Sequence, residues 1–305
     1  MRIGLIGAGR WGTRYIATLA RLPGIKLAHV GSRNPETARL VQKTCRVSGD
    51  WRAVLRDASL DGVILASPPM THAPLALGAI AARLPVLIEK PMAMNVADAE
   101  AVATAADTAG VLVMVGHTHL FSPAYRSLKQ RGYALGRLRS TKSSAGNDGP
   151  ARRDATVLWD WGPHDVSMCI DLFGHFPESV QAWIVGQRRL PGAVGQALRL
   201  HLGFPSGGCS DIRISNIEAR KLRLFEAAYE NGRLVYDSVN APTLRESQHG
   251  EGGAEPIAVD AIPPLTHLVR EFTDLIDSNG RTHPSLTLSV QVVQVLAQCE
   301  ATLCG

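Results

Sequence analysis

A chain of 305 residues is longer than one hydrophobic core usually organises, so two domains are the starting expectation. Apolar residues at 45% and charged residues at 19% exclude a disordered chain, and five scattered cysteines exclude a disulfide scaffold. A formal charge of +5, with no dense basic stripe interleaved with aromatics, excludes a nucleic-acid binder.

Met1 leads almost directly into an apolar strand, Arg2 to Ile6, leaving no room for an export signal. No apolar stretch approaches the roughly 20 residues of a membrane span. A cytoplasmic protein without a membrane partner is expected. The strand runs into Gly7-Ala8-Gly9-Arg10-Trp11-Gly12 at the opening of a helix over Arg10 to Leu22. In that context G-x-G-x-x-G is a dinucleotide loop: Gly7 turns, Gly9 admits the pyrophosphate, Gly12 lets helix and strand pack closely, and free N–H groups face the negative charge. Arg10 and Trp11 lie in the same loop.

Strands at Ile25 to Val30, Gly62 to Ala66, Pro85 to Glu89 and Val111 to Val115 alternate with helices at Pro35 to Thr44, Trp51 to Arg56, Thr71 to Ala82 and Val96 to Ala109. This is the rhythm of a doubly wound parallel sheet. The second strand ends in Gly31-Ser32-Arg33, where a NAD-selective site usually places an acid. Ser32 and Arg33 suit a 2′-phosphate instead, so the expected cofactor is NAD(P) with a lean to NADP.

After about residue 118 the pattern changes to period-two alternation, as at Leu198, Leu200, Leu202 and Phe204. Strands are predicted near Gly136 to Ser143, Ser179 to Gln187, Asp211 to Ile217 and Lys221 to Ala227, with a hairpin turn at Asn231-Gly232. Residues 240–264 read as a long loop. Helices return at Thr266 to Asp277 and Leu286 to Leu303. The expected architecture is α/β: a Rossmann domain over 1–118, then an α+β domain over 119–305 with a large, mainly antiparallel sheet, its C-terminal helix packing back on the first domain. A broad sheet of this kind presents an outer face that a homo-oligomer, dimer or tetramer, would cover.

Two segments carry the chemistry. Ala66-Ser67-Pro68-Pro69-Met70-Thr71-His72 precedes Ile88-Glu89-Lys90-Pro91, and Trp159-Asp160-Trp161-Gly162-Pro163-His164-Asp165 lies in the second domain. Together they resemble the Gfo/Idh/MocA oxidoreductase family over nearly the whole chain. The resemblance implies that Lys90 stands beside nicotinamide and the reacting carbinol, with Ser67, Pro68, His72 and Glu89 near the cofactor. It also implies that His164 exchanges the hydroxyl proton and that Asp160, one turn earlier if the segment is helical, orients the imidazole. A lysine at the C-terminal end of a parallel strand is where open α/β sheets bind ligands, and an X-Pro bond such as Lys90-Pro91 is free to be cis.

The stretch 116–125 resembles the part of the family that lines the substrate cleft, making His117, His119 and Tyr125 candidates for hydroxyl recognition. Together with residues 158–165 it also resembles the branch acting at C3 of UDP-N-acetylglucosamine-type sugars, and Arg152 and Arg153 offer forked guanidiniums to a diphosphate. A free sugar, inositol or other polyol is the alternative substrate, and a catalytically silent dinucleotide-binding regulator the alternative of another class. No catalytic metal is expected: the two close histidines lack a third ligand nearby in sequence.

Overall fold

The computed structural model describes residues 1–149, 152, 154–190, 193–239, 243–248 and 254–304. Two compact units emerge, one of residues 1–117 with 265–293, the other of residues 118–264 with 294–305.

The first unit alternates strand and helix: β1 (Arg2–Ile6), α1 (Arg10–Leu19), β2 (Lys26–Gly31), α2 (Thr37–Leu40), β3 (Arg46–Ser48), α3 (Trp51–Leu55), β4 (Gly62–Leu65), α4 (His72–Ala81), β5 (Val86–Glu89), α5 (Val96–Ala109) and β6 (Val113–Gly116). All pairings are parallel, in the order β3-β2-β1-β4-β5-β6. Val63, Ile64 and Leu65 are fully buried, as are Val86, Leu87 and Ile88, because helices cover both faces of such a sheet. The order reverses between β1 and β4, and open α/β sheets take their ligands in the crevice outside that point. Asn95 caps α5 by accepting from the Asp98 amide at 2.8 Å, and Gly110 ends it at φ 60°.

Two expectations need correction here. The predicted helix at Pro35 to Thr44 shrinks to the single turn of α2, and β3 carried no apolar signal at all. An edge strand needs only its backbone: the Ser32 amide donates to the Ser48 carbonyl at 2.8 Å, and the side chains of Arg46 and Val47 stay exposed.

The second unit contains α6 (Pro123–Gly132), β7 (Leu138–Asp148), α7 (Val157–Phe173), β8 (Ser179–Leu190), β9 (Ala193–Gly203), β10 (Cys209–Ser215), β11 (Ile217–Tyr229), β12 (Gly232–Asp237), β13 (Thr243–Gln248) and β14 (Glu255–Ile257). Its sheet runs β14-β13-β12-β11-β7-β10-β9-β8, antiparallel except between β7 and β10. Leu198, Leu200 and Leu202 of β9 turn inward while Arg199 is exposed, the alternation of a sheet with one buried face, and α7 packs on β7, β9 and β10. Residues 240–264 are not simply a loop: β13 and β14 lie within them. Leu244 is the one fully buried side chain of β13, so polar residues hide a ladder made by backbone.

The chain continues through α8 (Pro264–Asp277) and α9 (Pro284–Cys304). By length and composition α9 is apolar enough to cross a membrane, at mean hydropathy 1.2, contrary to the reading of its sequence. One face of it is buried, with Val292, Val293, Val295, Leu296 and Cys299 at most 1% exposed.

Candidate active site

The glycine loop fits a dinucleotide for reasons visible in its packing. Gly7 has φ +99°, and a Cβ there would sit 2.5 Å from the Ala66 carbonyl oxygen. At Gly12 a Cβ would lie 2.0 Å from the Gly7 oxygen, so only glycine lets α1 approach the loop this closely. At Gly9 nothing lies within 4 Å, which leaves the N-terminus of α1 open to a pyrophosphate. Arg10 is exposed, and the Trp11 ring carries the Arg14 guanidinium 4.7 Å from its centroid. Beyond β2, Ser32 Oγ accepts from Thr37 Oγ1 at 2.8 Å and from the Asn34 amide at 3.2 Å, while Arg33 is exposed.

Lys90 follows the C-terminal end of β5, is 7% exposed, and precedes a cis bond to Pro91. Beneath it Glu89 is held on both oxygens: Tyr15 donates to Oε1 at 2.7 Å and the Lys90 amide to Oε2 at 3.1 Å. Burial pushes the Glu89 carboxyl up, while Tyr15, Lys90 and Arg14 pull it back. Tyr15 escaped the sequence reading as a site residue. Its place with Gly12, Ile16 and Leu19 on the buried face of α1 was visible in helical spacing, but its partner was not.

His72 opens α4 but leaves its helix end. Its Nδ1 lies 2.8 Å from the Pro91 oxygen and its Nε2 lies 2.9 Å from the Ser67 oxygen, so the ring ties the loop after β4 to the loop after β5. A ring held on both nitrogens in this way bridges two loops and does not cap α4. Ser67 Oγ pairs with Thr71 Oγ1 at 2.7 Å, and Pro68 is exposed. His117, 1% exposed, places Nε2 2.8 Å from Ser289 Oγ.

In the second unit, α7 runs unbroken through Gly162-Pro163, which puts Asp160 and His164 one turn apart on one face. Pro163 forgoes only the bond to the Trp159 carbonyl. His164 is 5% exposed, and its ring meets that of His119 edge-on at 5.0 Å. His119 Nδ1 in turn lies 2.9 Å from the Tyr236 hydroxyl. Asp160 accepts from Arg152 Nη1 at 2.9 Å, and Asp154 takes two further donors of the same guanidinium. The Arg152 fork is thus engaged by two carboxylates of its own chain. Arg153 lies outside the described residues.

Tyr125 is a core residue and not a surface for hydroxyls: it is 1% exposed, with its hydroxyl 2.8 Å from Asp171 Oδ2 and 3.0 Å from the Met168 oxygen. A partner the sequence did not reveal is Arg223, on β11. Its guanidinium stands 5.0 Å over the Trp161 ring and 3.4 Å from the fully buried Asp165. Burial raises the Asp165 pKa and Arg223 lowers it. Among the described residues no group of three or more His, Cys, Asp and Glu side chains is placed to hold a metal ion.

Residues 1–117 match the model of the Gfo/Idh/MocA family, described as an oxidoreductase family with an NAD-binding Rossmann fold. Inositol 2-dehydrogenase 4 of Saccharopolyspora erythraea is 37% identical over 144 residues, which is 45% of this chain and only 43% of that relative. UDP-N-acetylglucosamine 3-dehydrogenase of Acidithiobacillus ferrooxidans is 30% identical over 308 residues, covering 97% of this chain and 94% of that one. A crystal structure from Magnetospirillum magnetotacticum MS-1 superposes with a TM-score of 0.90 at 40% identity, covering 98% of this chain and 99% of that one.

Proposed function

Because the chain belongs to the Gfo/Idh/MocA oxidoreductase family, we propose that it is a nicotinamide-dependent dehydrogenase of a ring secondary hydroxyl, acting at C3 of a UDP-N-acetylglucosamine-type sugar. The observation that carries the substrate is the match, almost end to end, with a relative named for that reaction. Gly7, Gly9 and Gly12 would hold the pyrophosphate, and Ser32 and Arg33 the ribose end, with a preference for NADP. The dinucleotide, when bound, supplies the acceptor for the hydride. His164 takes the proton of the hydroxyl as the carbinol becomes a ketone, and Lys90 steadies the charge that develops on the oxygen. Asp160 orients the imidazole from one turn away, and His119, edge-on to the same ring, borders it.

Incubation with UDP-N-acetylglucosamine and each oxidised nicotinamide, with the ketone trapped by a coupled aminotransferase, tests this reading. Reduced nicotinamide and an aminated UDP-sugar are expected. The inositol dehydrogenase relative favours a second reading, a free polyol. Turnover of inositol without turnover of the UDP-sugar would establish it. Tight dinucleotide binding with no turnover of either would sink both. A homo-oligomer accompanies the proposal: Trp183 and Leu224 are 45% and 41% exposed on strand positions that alternate with the buried Ala182 and Phe225. Sedimentation checks it, and a monomer at micromolar concentration would remove it.

A further inference from the structure

His117 is the residue after β6, and the last pair between β5 and β6 is Glu89 with Gly116, so Lys90 and His117 leave neighbouring strands in step. The imidazole is gripped from α9. Its Nε2 lies 2.8 Å from Ser289 Oγ, and that hydroxyl donates to the Ser285 carbonyl at 2.6 Å. A hydroxyl has one hydrogen and a carbonyl can only accept. Ser289 must therefore spend its proton on Ser285, and its oxygen accepts from an Nε2–H. A neutral ring with its proton on Nε2 carries a lone pair on Nδ1.

Two facts bear on what that lone pair can meet. Nδ1 is buried and has no hydrogen-bond partner. Desolvation, and next the charge of Lys90, lower the His117 pKa to about 3, so the ring stays neutral and the lysine is the cation felt there. Leaving a buried acceptor unpaired costs stability, so a donor within reach is favoured there. A long lysine stem can swing its ammonium to such an acceptor without moving backbone, and one of its three N–H groups suffices for Nδ1.

We propose that His117 is a positioning residue for Lys90: Ser289 locks it in the Nε2–H tautomer, and Nδ1 is the acceptor on which the lysine ammonium docks. The idea rests on Lys90 being the amine of the reaction proposed above. Its role in turnover is to present that amine in one orientation, while the serine pair on α9 keeps the acceptor facing it.

Proton–nitrogen correlation spectra of isotope-labelled histidine test this without any substrate, so the result stands apart from dehydrogenase activity. In the wild type, His117 is expected to be protonated at Nε2 and bare at Nδ1. Ser289→Ala should mix the tautomers, and Lys90→Met should shift the Nδ1 resonance while leaving the tautomer unchanged. Protonation at Nδ1, or an Nδ1 resonance indifferent to Lys90→Met, would overturn the proposal. In turnover, His117→Asn keeps an acceptor near Nδ1 and should stay close to wild type. His117→Gln keeps only the reach to Ser289 and should lose about tenfold in kcat at unchanged KM, the weight of one hydrogen bond. Equal losses in both variants, or a change confined to KM, would also overturn it.

Discussion

The two units hold their polar groups by different means. In the first, backbone shares the holding with side chains: the Lys90 amide joins Tyr15 on Glu89, His72 spans the Ser67 and Pro91 carbonyls, and the Ser285 carbonyl fixes Ser289 beneath His117. In the second, ionisable side chains hold one another: Arg152 with Asp160, Arg223 with Asp165, and His119 with Tyr236. Backbone partners cannot be substituted, whereas side-chain partners can be exchanged one at a time. The polar groups around Lys90 therefore tolerate less exchange of partners than the charged pairs of the second unit do.

The largest effect should come from the groups assigned to the proton and the oxygen. Lys90→Met is expected to lower kcat by about 10³-fold and His164→Gln by about 10²-fold, the range of acid–base assistance. Dinucleotide affinity, followed by Trp11 fluorescence, should stay within about twofold in both, as residues spent on the transition state alone require. A parallel collapse of cofactor binding in Lys90→Met would move Lys90 from the chemistry to the cofactor.

Within the second unit the charged pairs should separate by burial. Asp165 is 1% exposed in its side chain and Arg223 12%, so Arg223→Met strands a buried carboxylate and should cost about 3 kcal/mol in urea unfolding. Arg152 is 36% exposed, and Arg152→Ala should cost less than about 1 kcal/mol. If the two variants unfolded alike, the contrast between these pairs would be lost. A pH-dependent term belongs to His117. Its pKa falls from 6.5 to about 3 on folding, so below pH 6.5 the unfolded chain gains a proton that the folded one refuses. Stability should fall with acid by about 1.4 kcal/mol per pH unit through that window. In His117→Gln the slope should be shallower by that amount.

How far the sequence reaches depends on whether a signal is local. Apolar runs made β1, β4 and β5 legible to within a residue at either end, and the glycine loop announced its cofactor because turn, approach and packing all fall within six positions. Strands β3, β13 and β14 were missed because ladder bonds leave no trace in side chains that stay polar. The site's supports were missed for another reason. Tyr15 meets Glu89 across 74 residues and His117 meets Ser289 across 172, and no spacing rule spans such distances. A related gap concerns Gly162-Pro163, which leaves the helicity of its segment open in the sequence yet lies inside a 17-residue helix, since packing on three strands outweighs one lost hydrogen bond.

The smallest expected effect tests the ribose end of the first unit, where side chains and not backbone do the choosing. No acid follows β2, so nothing there competes for a 2′-hydroxyl in the way a NAD-selective carboxylate does. Ser32 Oγ already accepts two hydrogen bonds, which leaves its own hydrogen to point at an anion, and Arg33 is exposed beside it. An exposed charge contact contributes about 1 kcal/mol, so Arg33→Ala should weaken NADP about fivefold and leave NAD nearly unchanged. Isothermal titration with the two oxidised cofactors reads that ratio directly. Equal weakening of both would place Arg33 on the shared adenine or pyrophosphate, and the lean toward NADP would then rest on Ser32 alone.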